Sequence, residues 1–156
     1  MELDLLWLAP QKLVPDDSLI YACPGLMQIP EAPGIYFFAR RFGQSYVPLY
    51  IGRTESLRKR VQQHLETNVR LMRAILKAKH GERVVFAGEW RAHRGQQMKR
   101  VLPIVESALI KAALAEGNEL FNDRGTKTQT HTLVMAGKRH AWQALSRSRQ
   151  VLVERR

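Results

Sequence analysis

Two short runs of aromatic and β-branched residues, one opening on a glycine and one closing against a glycine, constrain this chain most. Gly34-Ile35-Tyr36-Phe37-Phe38 follows Pro33, and Tyr46 to Ile51 is closed by Gly52. Such runs favour extended backbone, because branched and ring side chains pack well on a pleated surface. Between them Arg40 to Ser45, with Gly43, is a turn segment, so the pair predicts an antiparallel hairpin.

Helical periodicity begins directly after it. Leu57, Val61, Leu65, Val69, Met72 and Leu76 recur at three- and four-residue spacing, predicting one helix over Leu57–Ala78. Thr54 or Ser56 is suited to cap it, and Gly81 closes it. Arg83 to Trp90 is a third strand candidate. Pro103 suits the first turn of another helix, running to about Glu116 before Gly117. Thr128 to Ala136 alternates like a further strand, and residues 138–156 are compatible with a helix or with a strand ending in Gln150–Val153. Residues 1–30 carry Pro10, Pro15, Pro24 and Pro30 and are expected as an extended or turn-rich lead-in. The order implies an α/β fold: a small antiparallel sheet covered by helices.

Charge narrows the partners. The chain has 156 residues, a formal net charge of +11 and 45% hydrophobic residues. This is one domain's length, and the composition is not that of a disordered chain. Residues 53–100 hold thirteen basic and four acidic residues, and residues 124–156 hold eight basic residues against Glu154. Between them residues 101–123 are net acidic, with Glu106, Glu116, Glu119 and Asp123 against Lys111. Basic blocks attract phosphate backbones by releasing counterions; equally, a charge run can simply keep a surface solvated. No apolar run is long enough to cross a membrane, and the acidic start is unlike a signal peptide, so a cytoplasmic location is expected. A lone Cys23 excludes an internal disulfide and a cysteine-based zinc site, and it is expected to be buried or inert. His80, His93, His131 and His140 lack ligand-like spacing.

Three groups of residues bear on chemistry. Glu106 shares a helical face with Leu102, Leu109, Ile110 and Ala113. A carboxylate there is costly unless it is paired, protonated, metal-bound or able to reach solvent. Arg60 and His64 lie one helical turn apart beside the apolar stripe; they suit a phosphate, but such residues also commonly flank a core. Tyr36 and Tyr50 fall on adjacent strands, where tyrosine usually packs the sheet. A phenol acts as a base only where cations lower its pKa, and Arg53, Arg58 and Arg60 are near in sequence.

Gly34-Ile35-Tyr36, thirteen intervening residues, then Tyr50-Ile51-Gly52 resembles the signature of the GIY-YIG nuclease family. The stretch from Arg53 through Thr54, Leu57 and Arg60 to His64 resembles the segment that follows it in that family. Glu106, and Asn122 in Leu120-Phe121-Asn122, match its downstream acidic and asparagine positions, with Asn118 a weak competitor. The resemblance covers about residues 33–123. It departs at Arg53, where many relatives have lysine, and in a slightly long stretch between the two tripeptides.

The resemblance implies a central three-stranded antiparallel sheet flanked by helices, over residues 31–125. Residues 1–30 would be an N-terminal extension, and residues 126–156 a basic C-terminal one packed on the same domain. It also implies a DNA endonuclease using one divalent metal, Mg²⁺ or Mn²⁺, with Glu106 as the protein ligand. One of Tyr36 and Tyr50 would activate water, with His64 assisting. Arg60 would brace the phosphate, and Asn122 would hold the site in register. Arg53, Arg58 and Lys59 would contact double-stranded or branched DNA, with a protein partner for targeting. The competing expectation is a non-catalytic DNA-binding or scaffold module on the same fold.

Overall fold

The computed structural model describes residues 2–122, 131–137 and 150–153. The chain is mixed α/β. The hairpin consists of β4 (Gly34–Phe42) and β5 (Ser45–Thr54), paired antiparallel with an irregularity between Phe38 and Ala39. On its other side β4 pairs antiparallel with β6 (Glu82–Arg91). These are the three strands expected from the sequence, but the sheet does not stop there.

The first thirty residues, expected as a lead-in, are built into the sheet. β1 (Glu2–Trp7) pairs with the second half of β6, and β2 (Gln11–Pro15) pairs with its first half, so the two follow one track broken near Pro10. β3 (Tyr21–Ala22) folds back on β2. Beyond β1 lie β7 (His131–Gly137), parallel to it, and β8 (Gln150–Val153), antiparallel to β7. The expected three-stranded sheet is therefore an eight-stranded one, with six strands side by side as β5-β4-β6-β1-β7-β8. The physical reason is period-two alternation: Leu3, Leu5 and Trp7 all point into the core. Residues 128–130 of the expected strand, and the helix considered within 138–149, lie outside the described residues.

Helices cover both faces. On one face α3 (Met98–Ala115) packs Val101, Leu102, Val105 and Leu109 against Trp7, Ile35, Phe37, Ile51 and Phe86. It begins five residues before Pro103, which sits inside it, because the buried stripe already starts at Val101. On the other face α1 (Leu57–Thr67) and α2 (Val69–Lys77) pack against Tyr36, Phe38, Leu49, Val85 and Ala87. The single expected helix over Leu57–Ala78 is broken at Asn68, and the buried set shifts from Leu57, Val61 and Leu65 to Leu71, Met72 and Ile75. Val69 and Leu76, assigned to the stripe by spacing, are exposed.

Candidate active site

The site is organised around the edge strand β5, with one group of residues on each face of the sheet. Tyr36 on β4 stands directly opposite Gly52 on β5. A Cβ at position 52 would collide with the Tyr36 phenol, so glycine is what allows that ring to lie across the strand. Tyr36 is 1% exposed. Its ring stacks on Tyr50 at 6.3 Å between centroids, and the His64 imidazole lies within 5.4 Å of Tyr36 and 5.6 Å of Tyr50.

What delivers His64 and Arg60 is the seating of α1. Its first backbone N–H groups donate to loop carbonyls, Leu57 to Ala32 and Arg58 to Pro30. The Arg58 guanidinium donates to Ile29 O at 2.7 Å and Met27 O at 3.1 Å, and its third nitrogen meets Glu31 at 3.4 Å. Arg58, expected to contact DNA, is thereby committed to clamping the Met27–Glu31 turn under the helix. Lys59 beside it is exposed.

From α1 the side chains converge on one oxygen. Tyr36 Oη lies 2.6 Å from His64 Nε2, and Arg60 Nε donates to it at 3.4 Å. Arg60 also donates to Gln63 Oε1 at 2.7 Å. Burial pushes the Tyr36 phenol well above its ordinary pKa, helped by Tyr50, and the pull from Arg60 does not offset this. The expectation that nearby cations hold one of Tyr36 and Tyr50 as a phenolate is therefore not met at Tyr36, which is a neutral phenol in the resting site. Burial, with Arg60 adding repulsion, lowers His64 to about 4, so the imidazole is neutral at pH 7.

A further residue, absent from the sequence-based set, completes this group. Asn68, at the break between α1 and α2, bonds His64 Nδ1 through its Nδ2 at 3.0 Å and accepts from the Leu71 N–H at 3.2 Å. Its spacing of four residues from His64 is the trace it leaves in the sequence.

The other face holds Glu106 and Arg53. Arg53 Nε donates to Glu106 Oε2 at 2.9 Å. Burial raises the Glu106 pKa, opposed first by Arg53 and more weakly by Arg60, which links the two groups electrostatically around the strand edge. The cost of a carboxylate on an apolar face is thus met partly by pairing with arginine and partly by reach to solvent, its side chain being 24% exposed. Nearby, Asn122 uses both amide atoms on one residue of β5: Oδ1 accepts from Ile51 N at 3.1 Å, and Nδ2 donates to Ile51 O at 2.5 Å. Phe121 N donates to Leu49 O at 2.8 Å, so this segment continues the ladder along the outer edge of β5. Asn118 instead donates to Ala113 O, closing the end of α3.

Tyr36, Tyr50, Arg60 and His64 thus form one contacting cluster, while Glu106 with Arg53, and Asn122, form two further anchors on the same strand. Among the described residues no three His, Cys, Asp or Glu side chains gather to hold a metal. Glu106 offers a hard oxygen donor, which fits a Mg²⁺-like ion that keeps several waters, provided Arg53 yields its place on the carboxylate. Cys23 is half-buried, and burial raises its thiol pKa, so it is not poised as a thiolate. No family description, no curated protein and no solved structure matches the chain.

Proposed function

We propose that the chain is a metal-dependent endonuclease of the GIY-YIG kind, acting on DNA in the cytoplasm, with a three-strand hairpin-and-β6 core as its catalytic unit. The observation that carries this reading is the convergence of His64 and Arg60 on the Tyr36 hydroxyl, beside Tyr50 and around the strand edge from Glu106. A chain of net charge +11 suits a polyanionic substrate.

In this mechanism Arg60 has guanidinium nitrogens to brace the scissile phosphate and offset the charge that grows on it in the transition state. One tyrosine of the Tyr36–Tyr50 pair would relay a proton, accepting that of the attacking water as its own phenolic proton passes out to solvent through half-buried Tyr50, with His64 holding Tyr36 in place. Glu106 would hold one Mg²⁺ or Mn²⁺, which supplies charge neutralisation at the phosphate and the leaving oxygen. Arg53, released from Glu106, is then available to the phosphate backbone, with Lys59 further along α1. Asn122 keeps β5 in register beneath the site. A protein partner for targeting goes with this reading.

One observation favours a second reading, a non-catalytic DNA-binding module: Glu106 is already satisfied by Arg53 and has a structural reason to be where it is. A panel of linear, branched and flapped DNAs, incubated with Mg²⁺ or Mn²⁺, separates the two. Cleavage by the wild type and its loss in Glu106→Ala, by about 100-fold or more, is the expected outcome. Binding without cutting across the whole panel, or cutting that persists in excess chelator, would overturn the metal-nuclease reading.

A further inference from the structure

The geometry points to Asn68 as a positioning residue that fixes which nitrogen of His64 carries the proton, and thereby makes the Tyr36 hydroxyl a hydrogen-bond donor toward the open side of the site. The first step concerns the amide. Its Oδ1 must be the atom facing Leu71, because a backbone N–H can only donate, at 3.2 Å. The amide nitrogen is then the atom facing His64 Nδ1, at 3.0 Å. An amide N–H₂ can only donate, so Nδ1 must accept and carries no proton.

The second step concerns the ring. His64 is 3% exposed and neutral, and a neutral imidazole has one N–H. With Nδ1 the acceptor, the proton lies on Nε2, which therefore donates to Tyr36 Oη across 2.6 Å. Arg60 Nε donates to the same oxygen from 3.4 Å. Both neighbours of the phenol oxygen are donors, and neither can take its proton. The Tyr36 O–H must point elsewhere, and Tyr50, whose ring stacks on that of Tyr36 at 6.3 Å between centroids, lies on the remaining side.

A directed chain of donors results, running from Asn68 through His64 and Tyr36 toward the half-buried Tyr50. His64 in this state is a donor, with no lone pair on Nε2 to accept a proton, so it is not the base for Tyr36. The inference rests on the nuclease reading only for its catalytic consequence; the proton position stands apart from it.

Asn68→Asp is the informative variant. A carboxylate still accepts from Leu71, so the helix start is kept, but it cannot donate to Nδ1. Uniformly ¹⁵N-labelled full-length chain is observed by histidine side-chain NMR at pH 8, with His64 assigned by comparison with His64→Gln. The expected result is a proton on Nε2 alone in the wild type and a proton on Nδ1 in Asn68→Asp. A wild-type proton on Nδ1, or a Nδ1 that stays bare in Asn68→Asp, overturns the assignment. On any DNA of the panel that the wild type cuts, Asn68→Asp should lower kcat by roughly 10–100-fold with KM unchanged, as loss of an orienting partner does elsewhere. Unaltered kcat in Asn68→Asp overturns the positioning role. A wild type that shows the expected proton but cuts nothing refutes the nuclease reading and leaves the proton assignment standing.

Discussion

His64 is held neutral inside an aromatic cage formed by Tyr36, Phe38 and Tyr50. That has a cost in acid. The imidazole sits at about 4 in the folded chain against an ordinary 6.5, so between those values the unfolded chain binds more protons. Stability present in full above about pH 6.5 is therefore lost progressively as the pH falls toward 4. We expect the urea midpoint of the wild type to drop more between pH 7 and pH 5 than that of His64→Gln; equal drops would show that His64 does not set the acid limit. At the same scale, Arg58 is a lesson in how neighbours divide labour. Arg53, Arg58 and Arg60 are alike in sequence, yet one pairs a carboxylate, one clamps a turn and one faces the phenol.

Among the elements, α2 depends on a residue from the next strand. Arg83 on β6 is 8% exposed, and its guanidinium donates to Ile75 O at 2.9 Å, Ala78 O at 2.8 Å and Gly81 O at 2.6 Å. These carbonyls close the C-terminal end of α2, where a cation is also favoured by the helix dipole. Arg83→Met should cost about 1–3 kcal/mol in denaturant unfolding, since it leaves the carbonyls unpaired; a loss below about 0.5 kcal/mol would mean that water replaces the guanidinium without penalty. The hairpin was legible because Gly34, Gly43 and Gly52 punctuate apolar runs that end at their turns. β1 was not, because the prolines of residues 1–30 outweighed the alternation of Leu3, Leu5 and Trp7. The break at Asn68 escaped for a different reason: apolar residues continue at helical spacing through it, and only burial shows that the stripe changes phase. Of the site, the residues named from the sequence fall on β4, β5, α1, α3 and the segment after it. Asn68 was hidden because its role depends on two hydrogen bonds made at once, which spacing alone does not encode.

For the whole molecule, the proposed site draws on both faces of the sheet around its edge. Tyr36 and His64 belong to the core under α1 and α2, Glu106 to the helix over the opposite face, and Arg60 senses both. The excess of positive charge should make DNA association strongly salt-dependent, with a slope in log affinity against log salt of about −0.9 per phosphate contacted. We expect a slope steeper than about −3 from titrations between 50 and 200 mM salt; a slope near zero would mean that the charge of +11 serves solubility alone.

The parallel pairing of β1 with β7 joins residues 2–7 to residues 132–137. In kinetic terms this is, among the described strands, the pairing with the longest loop to close, and such pairings form late. During synthesis β1 must wait for β6, more than seventy residues downstream, before gaining its first partner strand, and longer still for its second. Through that interval the alternating Leu3, Leu5 and Trp7 are an open template for another chain. Every residue proposed for the site lies between positions 36 and 122, so all of them are synthesised before β7 and β8. The residues of the proposed site and the strands that complete the sheet thus leave the ribosome in succession.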